Sequence, residues 1–352
     1  RVLEGRSGED GREESPGDDA EEGDSGAGRR SQEDEVGFEF RVGDPAAHRV
    51  SLAAGTLRPA MDALSPFADR LRADVPLAPL TTIGVGGTAK LVFEPRDADD
   101  LAAFLRTAAA EGLATAVLGA GANLLVSDAG CDAVVIRPVR LVGVEISGER
   151  VRAEAGVGLT ELIARTTDLG LGGLEALAGI PAQIGGAVAM NAGGRYGWIS
   201  HVLESAELVT AEGRKITLAA AELGFGYRKA ALPPGAVVTA ATFRLKTGER
   251  GPLKREAGRI LKEKNAAQPT TGRNFGCTFA NPEGANAGKL VEAAGLKGLR
   301  IGDARISPLH GNFIENLGAA TAADVLALVV RMEQDVLARS GIRLEREVRV
   351  WM

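Results

Sequence analysis

Disulfide chemistry has little to work with in this sequence: 352 residues hold two cysteines, Cys131 and Cys277. So few, so far apart, exclude a disulfide framework and point to a cytoplasmic setting. There are three histidines. No Cys/His/carboxylate cluster shows metal-ligand spacing, so no metal is expected. No apolar run approaches the ~20 residues of a membrane span. No secretory h-region opens the chain, and its acid-rich start is unlike a transit peptide. Cations are not in excess, with 41 Lys+Arg against 47 Asp+Glu. That removes the electrostatic footprint of a nucleic-acid binder. Internal repeats are absent, and nothing signals an obligate protein partner.

What is present is unevenly distributed. Residues 1–35 carry 13 acids and five arginines, so this segment holds −8 of the −6 net charge and the remainder is about +2. A faintly positive body suits an anionic small molecule. Residues 1–36 offer only Val2, Leu3 and Val36 as large apolar side chains. Burial of so little cannot offset the entropy of ordering, so disorder is expected there.

From about Leu71 onward helical and strand patterns alternate. Asp97–Gly112 has an acidic front, an apolar stripe (Leu101, Phe104, Leu105, Ala108) and a glycine stop, which predicts a helix. Strands are expected at 115–118, 124–126, 133–136, 151–155, 206–208, 216–218 and 237–245, with a helix over 160–169. Residues 246–252 read as a linker. Beyond it, helices are expected at 253–267, 287–294 and 321–339. The last opens with Thr321 and Asp324 in a near capping box and carries Val325, Val329, Met332 and Val336 on one stripe. Consecutive strands amid irregular alternation favour an α+β fold over a doubly wound sheet. Cys131 reads as a core or turn thiol.

Two glycine segments stand out. Gly119-Ala120-Gly121-Ala122-Asn123-Leu124 follows a strand, as a dinucleotide fingerprint does, but the third glycine is missing and a strand follows instead of a helix. The Rossmann mechanism needs that helix N-terminus. Glycines still let successive backbone N–H groups cradle a diphosphate. The second segment, Gly179 to Gly194, is rich in Gly and Ala, with Gln183 and Asn191 as its strong polar groups. It suits a flat ligand lying on backbone. Downstream come Tyr227-Arg228, the run Asn274-Phe-Gly-Cys-Thr-Phe-Ala-Asn-Pro282, and Glu347. A cation, a thiol acid and a carboxylate in this order can hold and protonate a carbanion beside a cofactor.

With these motifs, and with Thr81–Ala89, Gly173–Pro181, Ala287–Gly298, Ser307–Asn316 and Leu344–Arg349, the chain resembles the UDP-N-acetylenolpyruvoylglucosamine reductase family. The likeness runs in order from about Leu77 to Arg349, in the shorter form without an extra tyrosine-bearing loop. It implies a vanillyl-alcohol-oxidase-type (PCMH-like) FAD domain plus a smaller α+β substrate domain. The corresponding division is an acidic extension at 1–65, a two-subdomain FAD unit at 66–247, a substrate unit at 248–340, and a C-terminal segment at 341–352 carrying the catalytic glutamate. It implies FAD and NADPH as cofactors. The reaction would be reduction of UDP-N-acetylglucosamine enolpyruvate to UDP-N-acetylmuramate in peptidoglycan synthesis.

The resemblance also assigns residues. FAD contacts fall on Gly119, Ala120, Gly121, Ala122, Asn123 and Leu124, then on Gly179, Ile180, Pro181, Ile184, Gly185, Gly186 and Ala189. Substrate contacts fall on Tyr227, Asn281, Lys289, His310 and Asn312. Arg228 would face the developing enolate, which a guanidinium holds well. Cys277 stands where relatives often carry a serine that protonates the carbanion. Glu347 would donate to the enolate as a neutral acid or orient Arg228. A salt bridge to Arg346 or Arg349 is its ordinary alternative. Ala280 and Leu309 replace lysines usual in the family, which shifts the diphosphate load toward Lys262, Lys264, Lys289 or Lys297. Ala182 replaces a common glycine.

Overall fold

The computed structural model describes residues 62–352. The acidic extension expected at 1–65 lies outside the described residues up to residue 61. Leu64, by contrast, is 1% exposed and packs in the first core with Phe67, Phe93 and Phe104. Their rings interlock, Phe93 stacking on Phe104 at 3.8 Å while Phe67 meets both edge-on. Such geometry adds to what area burial alone supplies.

This first core backs a four-stranded sheet in the order Leu71–Pro76, Thr88–Phe93, Cys131–Ile136, Thr115–Val117. The outer pair is antiparallel and the others parallel. Parallel neighbours need a crossover, and helix Ala98–Ala110 supplies it. Asp97 caps that helix through the N–H of Asp100. Cys131 lies half-buried in the strand itself.

A second core sits under a five-stranded antiparallel sheet, ordered Lys215–Ala219, Leu203–Val209, Val237–Arg244, Arg150–Glu154, Val144–Ser147. Helix Leu159–Asp168 and the short helix Ile184–Ala189 cover it. The stretch expected as a linker is not one. Lys246–Thr247 pairs with Leu171–Gly172, and Arg250 begins a helix that runs to Ala267. That helix packs on Leu159–Asp168. Composition was misleading there because Gly and Pro also occupy strand ends and first helical turns.

The third core gathers residues 275–348 with Ile83, Val85 and Leu125. It holds a three-stranded meander (Arg300–Ile301, Ala304–Ile306, Ile314–Asn316), helix Ala287–Ala293 and helix Ala322–Ser340. The last begins with a capping box between Thr321 and Asp324, and buries Val325, Val329, Met332 and Val336 as expected. The chain then returns: Arg349–Trp351 pairs in parallel with Leu124–Val126, directly after the first glycine segment. This return sets the site. The whole is α+β. No helix of the described residues is long and apolar enough to cross a membrane.

Candidate active site

Three chain segments bring Arg228, Cys277 and Glu347 together. Gly226 and Lys229 exchange backbone hydrogen bonds of 2.9 and 3.3 Å, so Tyr227 and Arg228 form the tip of a tight turn. Arg228 takes φ 51°, left-handed space that a residue with a Cβ adopts at a cost. Its guanidinium offsets that cost. Nε donates to Glu347 Oε1 at 2.6 Å and Nη1 to the Gly193 carbonyl at 2.6 Å. The rings of Trp198 and Tyr227 lie 5.4 and 5.6 Å from its Cζ, close enough for cation–π attraction.

Glu347 is placed by strand-like pairing. Its N–H donates to the Thr278 carbonyl at 2.8 Å, while Ala280 N–H donates to the Glu345 carbonyl at 2.9 Å. The segment bearing Cys277 thus runs beside the segment bearing Glu347. The Glu347 side chain is 7% exposed, and Tyr227 Oη donates to Oε2 at 3.2 Å. Arg346 bonds Glu333, and the Glu347 carboxylate meets Arg228 and Tyr227. Burial raises the Glu347 carboxyl above the usual carboxylate range, against the opposing pull of Arg228. Burial, then the Glu347 charge, pushes the Cys277 thiol up to about 12. Cys277 is therefore a fully protonated S–H at neutral pH. Burial and Glu347 likewise raise the Tyr227 phenol.

Asparagines hold these segments in place. Asn312, 2% exposed, accepts from Phe279 N–H at 2.9 Å and donates back to Phe279 O at 2.8 Å. Its side chain also reaches the Cys277 sulfur. Asn191, 5% exposed, donates to Gly226 O at 3.0 Å and so fixes the Arg228 turn. Asn123 donates to the Glu347 carbonyl at 3.1 Å. The amides of Asn123 and Asn312, expected to serve cofactor and substrate, are thus engaged with the protein's own backbone.

The other expected residues divide. Asn281 accepts from Ala287 N–H, and its own backbone N–H faces the Tyr227 oxygen. Lys289 is exposed on helix Ala287–Ala293. His310 accepts from Asn312 N–H at 3.2 Å through Nδ1 and stacks edge-on with Phe313. Burial, with Lys297 nearby, lowers its basicity. Lys264, one of four candidates for the diphosphate, donates to the Ala178 carbonyl at 2.6 Å. Burial, with Arg228 and Arg195, lowers its ammonium to about 8. Leu309 is exposed, and Ala182 packs against the second core.

The glycine segments have the backbone geometry that a large cofactor needs. Gly121, at φ 64°, lies so close to Leu80 that a Cβ would sit 2.3 Å from its carbonyl oxygen. Gly186 and Gly194 face open space, with nothing within 4 Å of a Cβ position. At Gly119 such an atom would meet only Gln183 Oε1, at 3.4 Å. That places the two segments side by side. Gln183 Oε1 is itself buried with no hydrogen-bond partner. Open glycine backbone on two facing segments, with one orphaned polar atom between, fits FAD. Leu124 and Ile184 turn their side chains into the cores, while Leu124 pairs in a strand with Arg349 and the Ile184 N–H donates to the Val157 carbonyl at 3.0 Å, so Ile184 has no free donor for a ligand. Among the described residues, no group of three or more His, Cys, Asp or Glu is placed to hold a metal ion.

Trp198, Gly193, Asn191 and Gln183 were not among the expected site residues. Trp198 had a signal, being one of two tryptophans and lying just beyond the second glycine segment. Gly193 lies inside that segment, but nothing in its residue type marks its carbonyl as the partner of Arg228.

Comparison with known proteins agrees with this geometry. Residues 268–351 match the family profile described as "UDP-N-acetylenolpyruvoylglucosamine reductase, C-terminal domain", and residues 89–219 match that of an "FAD binding domain". A UDP-N-acetylenolpyruvoylglucosamine reductase of Anaeromyxobacter dehalogenans (strain 2CP-1) is 46% identical over 278 residues, 79% of this chain and 84% of that protein. One from Myxococcus xanthus is 42% identical over 286 residues, 79% of this chain and 91% of that one. The crystal structure of the Thermus caldophilus enzyme superposes with a TM-score of 0.71 at 40% identity, covering 80% of this chain and all of that one.

Proposed function

The chain belongs to the UDP-N-acetylenolpyruvoylglucosamine reductase family, and on that premise we propose that it reduces UDP-N-acetylglucosamine enolpyruvate to UDP-N-acetylmuramate. It is an FAD-dependent oxidoreductase, with NADPH as the reductant implied by the family. The observation that supports the reading best is the convergence of Arg228, Cys277 and Glu347 beside the two open glycine segments.

Segment 119–123 and the N–H groups of Gln183 and Gly186 would hold FAD, those of Ile184 and Gly185 being taken by the Val157 and Ala155 carbonyls. When bound, FAD would relay two electrons from NADPH to the enolpyruvyl double bond. The protein's own groups manage the charge and the proton. Glu347 takes Nε of Arg228 and Gly193 takes Nη1, leaving Nη2 without a hydrogen-bond partner among the described residues. That nitrogen is the one to meet the substrate carboxylate, where negative charge grows in the transition state. Cys277 holds the proton on Sγ and delivers it to the carbanion. Glu347 positions Arg228, and an arriving anion favours its neutral form further. With one usual lysine replaced by Ala280 and another by Leu309, Lys264 takes part of the diphosphate charge. Both cysteines are free thiols, so we place the reaction in the cytoplasm.

Single-turnover spectroscopy tests this. The yellow holoprotein should bleach with NADPH and recover colour when the enolpyruvyl nucleotide is added. Recovery with oxygen alone, and none with the nucleotide, would refute the assignment.

A further inference from the structure

Gln183 has a main-chain carbonyl that is engaged and a side chain that is not. It stands at the entry to helix Ile184–Ala189 with extended backbone, φ −92° and ψ 156°, where side chains often cap, yet it makes no cap. Its carbonyl accepts from Ala187 N–H at 2.9 Å, and its backbone bridges to Gly158. The side-chain oxygen, meanwhile, is covered from water and receives no donor. Buried acceptors are rarely left so, because the lost hydration is not repaid. Its position narrows the explanation. The oxygen lies against Gly119, 3.4 Å from where a Cβ would be, between the two segments assigned to FAD.

An acceptor there selects among the parts of FAD. The diphosphate carries only acceptors at neutral pH and gains nothing from a carbonyl oxygen. The donors of FAD are the sugar hydroxyls, the isoalloxazine N3–H and the adenine amino group, and of these only the hydroxyls adjoin the diphosphate that the glycine segments would cradle. We propose that Gln183 is a cofactor-holding residue whose Oε1 accepts a hydrogen bond from a sugar hydroxyl of bound FAD, on the ribityl chain or on the adenosine ribose. The residue is then strained in the empty protein and satisfied in the loaded one. It contributes to FAD retention and not to the fold.

This rests on the FAD reading above, and the experiment separates the two. Apoprotein is prepared from the parent and from Gln183→Leu, with Gln183→Met as the second variant should leucine disturb folding. Flavin fluorescence gives the Kd for FAD, and thermal unfolding gives the Tm of the apoprotein. The expected result is a Kd raised about 3- to 10-fold, the range for one net hydrogen bond. Apoprotein Tm should stay level or rise, because a covered acceptor has been removed. A residue with only a structural role would lower Tm and leave Kd alone. Repeating the titration with FAD carrying 2′,3′-dideoxyadenosine distinguishes the hydroxyls. Persistence of the variant's defect assigns the ribityl chain, and its disappearance assigns the ribose. A variant Kd within twofold of the parent overturns the proposal while leaving the FAD reading intact. Failure of the parent to bind FAD overturns both.

Discussion

Cys277 is the one group at the site that holds a proton on sulfur, and its burial has two consequences, one for the thiol in the parent and one for its replacement by alanine. The first is chemical protection of the thiol. With its pKa pushed up to about 12, about one Cys277 in 10,000 is ionised at pH 8. An ordinary thiol near 8.5 is about one-quarter ionised at that pH. The thiolate deficit is therefore roughly 2,000-fold. A more basic thiolate attacks faster, with a Brønsted slope near 0.4–0.5, which returns roughly 25- to 60-fold. Iodoacetamide should therefore modify Cys277 about 50- to 100-fold more slowly than free cysteine, before steric shielding is counted. Mass spectrometry of the alkylated protein reads this directly.

The second consequence is catalytic. A positioned general acid contributes about 10²- to 10⁴-fold. Cys277→Ala should lose product formation by that factor, while NADPH still bleaches the flavin at the parental rate. Cys277→Ser should keep the larger share of activity, since a hydroxyl also carries a proton at this position. Because the thiol stays protonated from pH 6 to 9, no alkaline limb of the parent's pH profile should vanish in the serine variant. Alanine protein that makes UDP-N-acetylmuramate at the parental rate would remove Cys277 from the mechanism.

Further outcomes follow from the same geometry. Lys264 titrates near 8, so its ammonium is lost as pH rises through that value; kcat/KM for the anionic ligands should fall above pH 8 in the parent and stay level in Lys264→Gln. A parental profile flat to pH 9.5 would contradict the role given to Lys264. Asn312→Ala strands both polar groups of Phe279, at about 1–3 kcal/mol each; urea denaturation should show a loss of about 2–6 kcal/mol, and a loss below ~1 would show that water replaces the amide. Glu347 has a folded-state pKa above its unfolded value, so its contribution is fully present below the unfolded pKa and is lost as pH rises through the folded one. Stability of Glu347→Gln relative to the parent should therefore improve as pH climbs from 4 through that range; a gap that moves the other way would reverse the assigned shift.

Local signals carried much of the fold into view. The Asp97 cap, the Thr321–Asp324 box and the Val325–Val336 stripe each act within a few residues, and the structure places all three as read. Long-range pairing left no such mark. Arg349–Trp351 pairs with Leu124–Val126 from more than 200 residues away, and nothing in either tripeptide names its partner. Lys246–Pro252 misled because its glycines and proline fit a linker, a strand end and a first helical turn equally well. At the proposed site, the side chains assigned to the reaction stand out by residue type. Groups that hold them do not: the Gly193 carbonyl has no residue-type signature, and Gln183 reads as any polar residue until its oxygen is found buried.

The three residues proposed to react share one construction, and it bears on how the site tolerates change. Arg228, Cys277 and Glu347 come from separate segments, and an asparagine amide grips the backbone of each: Asn191 at Gly226, Asn312 at Phe279, Asn123 at the Glu347 carbonyl. Asparagine suits this work because its short side chain carries a donor that can reach a main-chain carbonyl. Aspartate has nearly the same shape but, when ionised, only acceptors. An Asn→Asp exchange at any of the three would set an oxygen against a carbonyl oxygen and push one segment away from the other two. Since Arg228 and Glu347 meet at 2.6 Å, a shift of about 1 Å is enough to part them, and misplacement of that size costs about 10²-fold in rate. Chemistry at this centre is therefore as exposed to change in the three amides as in the reacting groups themselves.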